Sequence, residues 1–152
     1  MTHCAQASRV ALVTGASRGI GAATASALLA AGHQVVGLSR SGRAPDGVLA
    51  LACDVADPKA VDAAVSEIED QLGAVQILVA NAGQNADELA LRMSDESWQR
   101  IIDVNLTGAF NVSRRVLRGM LAARFGRIVL VSSVAALHGL SLIHISEPTR
   151  LL

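Results

Sequence analysis

Short, continuously apolar runs alternate with stretches of helical periodicity through most of this 152-residue chain. A short apolar run without polar alternation predicts a strand that is buried on both faces, and strands separated by helices predict parallel pairing. Right-handed crossovers then favour a doubly wound sheet with helices on both faces. We therefore predict an α/β fold of the Rossmann type, a doubly wound parallel sheet with helices on both faces. The predicted strands are 10–13, 34–38, 48–52, 75–79 and 127–131, and the predicted helices are 19–31, 58–72, one that begins at 94, and 109–124.

Composition narrows the possible classes of function. Thirteen basic and thirteen acidic residues cancel, which disfavours a nucleic-acid binder because such proteins normally carry a basic excess. No apolar run approaches the roughly 18 residues that span a bilayer, and the first residues lack the pattern of a secretory signal. Cys4 and Cys53 form neither a disulfide framework nor a metal-ligand spacing. We expect a cytoplasmic protein with reduced thiols and no metal, membrane or nucleic-acid partner.

A glycine-rich segment, residues 14–21, joins the first predicted strand to the first predicted helix. Gly15, Gly19 and Gly21 would let a pyrophosphate approach backbone N–H groups with no Cβ in the way. The helix N-terminus adds a partial positive charge and unpaired donors. A plain tight turn would also use glycines, but the position between a strand and a helix favours dinucleotide binding.

Five motifs in order resemble those of the short-chain dehydrogenase/reductase family, over about residues 9–139. The glycine segment has that family's Thr-Gly-x-x-x-Gly-x-Gly spacing, and the other motifs are Cys53-Asp54-Val55, Asn81-Ala82-Gly83, Val104-Asn105 and Ser132-Ser133. The resemblance implies that a nicotinamide dinucleotide is held by Gly15, Ser17, Arg18, Gly19, Ile20, Gly21, Arg40, Asp54, Val55, Asn81, Ala82 and Gly83.

The end of the second predicted strand discriminates between NAD and NADP in such a fold. An acidic residue there would bond the ribose 2′-OH of NAD and repel a 2′-phosphate, and residues 35–43 contain no Asp or Glu. Arg40 and Arg43 follow the strand instead, and Arg18 lies in the glycine segment. Each arginine alone could be a solvated surface charge, but arginine pairs well with phosphate. Because Arg18 and Arg40 stand where the family selects NADP, we expect NADP(H).

Within the family, residues 39–42, 89–93 and 104–110 resemble actinobacterial 3-oxoacyl-[acyl-carrier-protein] reductases. This resemblance implies NADPH-dependent reduction of a 3-oxoacyl thioester on acyl carrier protein in fatty acid biosynthesis. Reduction of another ketone or alcohol, and a non-catalytic dinucleotide-binding module, remain alternatives.

The resemblance also implies contacts between proteins. An acidic carrier protein would dock near the mouth of the active site, and Arg124 is a candidate contact, although a cation at a helix C-terminus is an equally good account. The full-length protein would be a homotetramer. Helix 109–124 would pack on its copy in another subunit and expose some combination of Phe110, Val112, Val116 and Leu117.

The resemblance makes Asn105 and Ser133 catalytic residues: the serine polarises the substrate carbonyl and the asparagine anchors a water in a proton relay. The family's proton donor is a tyrosine thirteen residues after the serine, with a lysine four residues later. Ser146 and Arg150 occupy those positions here, and the chain contains no tyrosine. We therefore expect the chain as given to be inactive.

The last thirteen residues do not resemble the family. Leu140–Arg150 matches, residue for residue, the conceptual translation of a widely used transposase-type sequencing adapter. The family fold continues beyond a fifth strand, so the resemblance implies a fold that is truncated after strand five. We interpret residues 1–139 as the NADP-binding part of a single Rossmann-fold domain and 140–152 as a non-native tail. A natural inactive homologue is the alternative.

Overall fold

A computed structural model describes residues 8–86, 89 and 91–133 of the chain. Residues 134–152, which include the whole predicted tail, lie outside the described part of the chain. The predicted strands and helices are all present, with ends that differ by at most two residues, apart from a π-helical turn, Asp103–Thr107, that the sequence did not predict. The elements in order are β1 (Val10–Thr14), α1 (Gly19–Ala30), β2 (Gln34–Ser39), β3 (Leu49–Ala52), α2 (Pro58–Leu72), β4 (Ile77–Ala80), α3 (Asp95–Ile102), α4 (Gly108–Ala122) and β5 (Arg127–Leu130).

The strands form one parallel sheet in the order β3-β2-β1-β4-β5. The central strand β1 pairs with β2 on one side and with β4 on the other, so that Val13 lies between Gly37 and Val79. The order reverses direction between β1 and β4, which is the switch point of a doubly wound sheet. The predicted fold class is confirmed.

Alternate residues of the strands build two separate layers of core, because successive side chains of a strand point to opposite faces. Ala11, Val13 and Val35 pack on the α1 side, whereas Leu12 and Val36 pack on the side of α2 and α4. Every residue of β1 is buried, which explains why the strand reads as a continuous apolar run. None of the helices in the described ranges is long and apolar enough to cross a membrane.

Helices α2 and α4 are joined by one arginine. The Arg115 guanidinium donates to Asp62 Oδ1 at 2.6 Å, to Ser66 Oγ at 3.0 Å and to Glu69 Oε2 at 2.9 Å. The hydrogen bond to Glu69 is the main reason that the pKa of Arg115 is raised above its usual value. All three partners belong to α2, so this side chain fixes the two helices against each other.

The structure shows which of the four apolar side chains of α4 are exposed. Phe110 and Leu117 are exposed, whereas Val112 and Val116 are fully buried in the core under the sheet. The exposed combination is therefore Phe110 with Leu117, because α4 turns the two valines toward α2 and the sheet.

Two helices end in the same hydrogen-bonding motif. At the end of α1, His33 N donates to Leu28 O and Gly32 adopts a left-handed conformation with φ of 87°. At the end of α4, Arg124 takes the equivalent position with φ of 49°. Glycine suits that position because an L side chain is strained there. Gly32 therefore confirms the predicted helix end, and Arg124 closes its helix at a conformational cost.

Candidate functional site

A groove of about 810 Å³ runs along the carboxyl edge of the sheet. It is lined by residues that directly follow β1, β3 and β4, namely Gly15, Cys53 and Asn81, and by Ser39 at the end of β2. Open α/β sheets bind ligands in the crevice at this edge, beside the switch point. The geometry therefore marks this groove as the candidate site.

The glycine segment is held to two neighbouring strands by hydrogen bonds. Thr14 Oγ1 accepts from Asn81 N at 3.0 Å and from Ala82 N at 2.9 Å, and Asn81 Nδ2 donates to Thr14 O at 3.1 Å. On the other side, Gly15 N donates to Leu38 O at 2.8 Å. These bonds fix the start of the loop before it reaches α1.

Two glycines of this loop lie too close to their neighbours to carry a side chain, and the third faces open space. Gly15 has φ of 70°, and a Cβ there would lie 3.0 Å from Asn81 Nδ2. A Cβ on Gly21 would lie 2.6 Å from Asn81 Nδ2 and closer still to the Gly15 carbonyl oxygen. Gly19 has φ of 58° and faces open space. The loop is therefore compressed on the side of β4 and open on the other.

The first turn of α1 presents free backbone donors to this open space. Its N-cap residue, Arg18, makes no side-chain cap hydrogen bond. The first N–H groups of a helix have no partner within the helix and carry its partial positive charge. Open space in front of uncapped N–H groups fits a phosphate, so these residues suit the pyrophosphate of a dinucleotide.

Three arginines line the end of the groove beside β2: Arg18, Arg40 and Arg43. None of the three forms an ion pair with a carboxylate of the described residues. Arg43 is the most constrained, because its backbone N donates to Ser39 Oγ at 2.9 Å and its Nε donates to Ser41 Oγ at 3.4 Å. This end of the groove is therefore cationic and can hold a phosphate monoester.

The opposite wall beside β3 carries an acidic group and a thiol. Asp54 Oδ1 accepts from Ala56 N at 3.0 Å, and its other oxygen lies 3.9 Å from the Arg100 guanidinium. Burial raises the pKa of the neighbouring Cys53 thiol to about 11, with smaller contributions from Asp54 and Asp57. Cys53 is therefore a neutral thiol at physiological pH.

Asn105 lies in the π-helical turn, and its side chain is fully engaged. Nδ2 donates to Ile101 O at 2.9 Å and to Gln84 O at 2.8 Å, and Oδ1 accepts from Gln84 N at 3.1 Å. The Asn105 amide therefore joins the Ile101 carbonyl of α3 to the segment that follows β4. Single π turns of this kind are frequent at functional sites.

Of the twelve predicted cofactor residues, all except Gly21 line the groove, and Gly21 lies directly behind Gly15. The Asn105 side chain contacts Gln84, which lines the groove. Ser133 lies three residues beyond β5 at the same edge of the sheet and is not among the lining residues. The groove is also lined by residues outside the predicted cofactor set: Leu38, Ser39, Ser41, Arg43, Ala44, Cys53, Gln84 and Val104.

Arg124 lies at the end of the sheet where the parallel strands begin, opposite the groove. It precedes the first residue of β5, Arg127, whereas the groove lies where the parallel strands end. Within this chain Arg124 therefore lies away from the groove, and its contact with a carrier protein stays a prediction. Its left-handed backbone and place at the end of α4 match the alternative of a cation near a helix C-terminus.

Comparison with known proteins agrees with the motifs. The profile of the short chain dehydrogenase family matches residues 9–144. The chain belongs to this family. The match extends five residues into the segment 140–152 that the sequence analysis assigned to a non-native tail, and the position of that boundary stays a prediction.

Among curated relatives, the 3-oxoacyl-[acyl-carrier-protein] reductase MabA of Mycobacterium avium is 46% identical over 133 residues, which are 88% of this chain and 52% of that protein. The reductase FabG of Vibrio cholerae is 44% identical over 139 residues, 86% of this chain and 57% of that protein. The chain thus spans about half the length of the curated relatives that it matches. The resemblance to actinobacterial reductases is confirmed.

Solved structures give the same fold. The ligand-free aldohexose dehydrogenase of Thermoplasma acidophilum superposes with a TM-score of 0.81 at 37% identity, covering 85% of this chain and 51% of that one. A short-chain dehydrogenase from Streptomyces avermitilis gives a TM-score of 0.79 at 30% identity, again over 85% of this chain and 51% of that one. The chain is therefore similar to oxidoreductases named for different substrates.

Proposed function

We propose that this chain is the cofactor-binding part of an NADPH-dependent 3-oxoacyl-[acyl-carrier-protein] reductase of fatty acid biosynthesis. The observation that carries the proposal is the groove, in which uncapped N–H groups of α1 adjoin three arginines that have no carboxylate partner among the described residues. One end suits a pyrophosphate and the other a 2′-phosphate. Similarity to the reductases MabA and FabG supports the substrate class.

Each part of the groove has a role in this proposal. Gly15 and Gly19, with the first turn of α1, would hold the pyrophosphate. Arg18, Arg40 and Arg43 would bind the 2′-phosphate, and Asp54 with Val55 would form the wall at the adenine. Bound NADPH supplies the hydride for carbonyl reduction.

We assign different roles to the two predicted catalytic residues, Ser133 and Asn105. The Ser133 hydroxyl is the group we assign to hold the substrate carbonyl. Both donors and the acceptor of the Asn105 side chain are used by Ile101 and Gln84. We infer that Asn105 positions the groove segment through its side chain, and that a relay water would bind its main chain.

The chain alone is proposed to lack reductase turnover. It contains no tyrosine, and its single lysine, Lys59, lies on α2. A serine hydroxyl is a far weaker acid than a phenol, and arginine differs from lysine in geometry and hydration. Carrier-protein binding, a homotetramer and a cytoplasmic location are proposed for the whole protein by the same similarity. The exposed Phe110, Leu117 and Leu121 on α4 suit a contact between subunits.

Measuring dinucleotide affinity tests the proposal. We expect the chain to bind NADPH at least tenfold more tightly than NADH, because the 2′-phosphate adds about 1.4 kcal/mol or more of charge-assisted hydrogen bonding. Arg40→Gln should remove most of this preference, whereas Arg92→Gln, at a residue that is not among those lining the groove, should not. Equal affinities of the native chain for the two cofactors would contradict the assignment of NADP.

A reductase or dehydrogenase of another ketone or alcohol is the second candidate. The similarity to aldohexose dehydrogenase at 37% identity supports this candidate, because that relative shares this part of the fold and is named for a different substrate. Sequencing the gene past the codon for Gly139 and assaying the full-length product would separate the two. Turnover of a 3-oxoacyl thioester supports the first candidate, and turnover of sugars or simple ketones alone supports the second.

A further inference from the structure

The Ser39 hydroxyl holds the loop that follows β2. Ser39 is the last residue of that strand and is only 6% exposed. Its Oγ accepts from Arg43 N at 2.9 Å and donates to Arg43 O at 2.8 Å, so one side chain satisfies both main-chain groups of Arg43. The Ser39 carbonyl oxygen also accepts from Gly42 N at 3.1 Å and from Cys53 N at 3.0 Å. The turn from Ser39 to Arg43 is therefore fixed to the sheet through Ser39.

The Ser41 hydroxyl extends this anchor to the Arg43 guanidinium. Its Oγ lies 3.4 Å from Ser39 Oγ and accepts from Arg43 Nε at 3.4 Å. A hydroxyl has one proton, and Ser39 donates its proton to Arg43 O, so Ser41 is the donor between the two hydroxyls. The hydrogen bonds thus run from Arg43 Nε through Ser41 and Ser39 back to Arg43 O. This closed ring constrains both the main chain and the side chain of Arg43.

The ring uses only Nε of the Arg43 guanidinium. Within the described residues, its terminal nitrogens form no hydrogen bond and the side chain forms no ion pair. Arg43 and Ser41 are both exposed and both line the groove. In a doubly wound fold, the end of the second strand is the place where the 2′ substituent of the adenosine ribose is bound. The free donors of Arg43 are therefore held at the end of the groove that suits a 2′-phosphate.

We propose that Ser39 is a positioning residue for NADP, which acts by orienting Arg43 for the 2′-phosphate through the hydrogen-bonded ring with Ser41. This inference rests on the proposed function above. A long, flexible side chain loses rotamer freedom when it binds a ligand, and a side chain that is already constrained loses less. The ring therefore increases the affinity for the phosphorylated cofactor without any contact between Ser39 and the ligand.

The test compares NADPH with NADH, which differ in the 2′-phosphate alone. Ser39→Ala removes the hydroxyl that closes the ring. We expect it to raise the Kd for NADPH about three- to tenfold, as the ordering of one flexible side chain costs, and to leave the Kd for NADH within about twofold. Ser26→Ala is the matched control, because Ser26 is exposed on α1 and is not among the lining residues. It should change neither Kd.

A double variant shows whether Ser39 acts through Arg43. Arg43→Gln should itself weaken NADPH, and adding Ser39→Ala to it should change the Kd for NADPH by less than about twofold. If Ser39→Ala still weakens NADPH about three- to tenfold in the Arg43→Gln background, Ser39 acts independently of Arg43 and the inference is wrong.

Two other outcomes would also overturn the inference while leaving the proposed cofactor intact. One is an unchanged affinity of Ser39→Ala for NADPH. The other is equal weakening of NADPH and NADH by Ser39→Ala, which would indicate a general disturbance of the fold. If the native chain, folded by circular dichroism, binds neither dinucleotide or binds both equally, the proposed function fails and this inference fails with it.

Discussion

Replacing Gly21 by alanine tests why the loop after β1 needs a glycine inside a helix. The added Cβ would lie 2.6 Å from Asn81 Nδ2 and closer still to the Gly15 carbonyl oxygen. The Gly15 oxygen belongs to backbone that is held on both sides, since Gly15 N and Ala16 N both donate to Leu38 O. Relief of the overlap must therefore move either α1 or the loop itself.

Two opposing effects set the magnitude. Forcing a methyl group into a packed site costs roughly 1–3 kcal/mol. Alanine is a better helix former than glycine by about 1 kcal/mol, and Gly21 lies in the first turn of α1. The net loss in free energy of unfolding should be about 1 kcal/mol. The Kd for NADPH should rise more than tenfold, because the displaced loop contains the proposed pyrophosphate site.

Gly32→Ala is the matched control. Gly32 also belongs to the α1 region and has φ of 87°, but a Cβ there would meet nothing within 4 Å. It lies at the far end of α1 from the glycine loop. We expect a loss of roughly 1–2 kcal/mol from strain alone and an unchanged Kd for NADPH. Urea unfolding and fluorescence titration measure both quantities. The reasoning is refuted if Gly21→Ala binds NADPH as tightly as the native chain, or if the two variants lose affinity equally.

Three further predictions concern the rest of the molecule. Arg115→Met should lower the free energy of unfolding by about 1–2 kcal/mol in urea, because Asp62 and Glu69 lose a shared partner whose side chain is only 22% exposed. Arg118→Met should change it by less than about 0.5 kcal/mol, and equal effects would show that the contacts of Arg115 contribute nothing. Arg124→Gly should raise stability by about 1 kcal/mol by relieving the positive φ, and a lower thermal midpoint would contradict this. With its pKa near 11, Cys53 should react slowly with iodoacetamide at pH 8 in a Cys4→Ser background, and rapid labelling of the folded chain would be the contrary result. The stability that the neutral thiol contributes is present below pH 9.0 and should be lost as the pH rises through about 11.

The sheet and most of the groove could be predicted because local sequence carries their causes. The apolar run of β1 is buried on both faces, and Gly32 stands where a helix must end with a positive φ. The glycine segment can be recognised from the spacing of its glycines and from its place between a strand and a helix. These signals lie within a few residues of the structure that they determine.

The sequence did not indicate which apolar side chains of α4 would be buried and which would be exposed. Phe110, Val112, Val116 and Leu117 are all apolar, and periodicity alone does not say which face meets the sheet when a helix has apolar residues on more than one side. Arg115 supplies the missing information, because its three partners on α2 fix the rotation of α4. Those partners lie about fifty positions earlier, at separations of 46 to 53 residues. A long-range ion-pair network of this kind leaves no local pattern.

The π-helical turn is the feature whose absence from the sequence analysis matters most for function. Asp103–Thr107 has no proline or glycine to mark it, and the motif that identified Asn105 implied a direct catalytic role for its side chain. The structure shows that this side chain bonds to the Ile101 carbonyl and to the main chain of Gln84 at the same time. Gln84 lines the groove. Asn105 therefore supports the groove from within the widened turn, because its amide ties the segment after β4 to the end of α3.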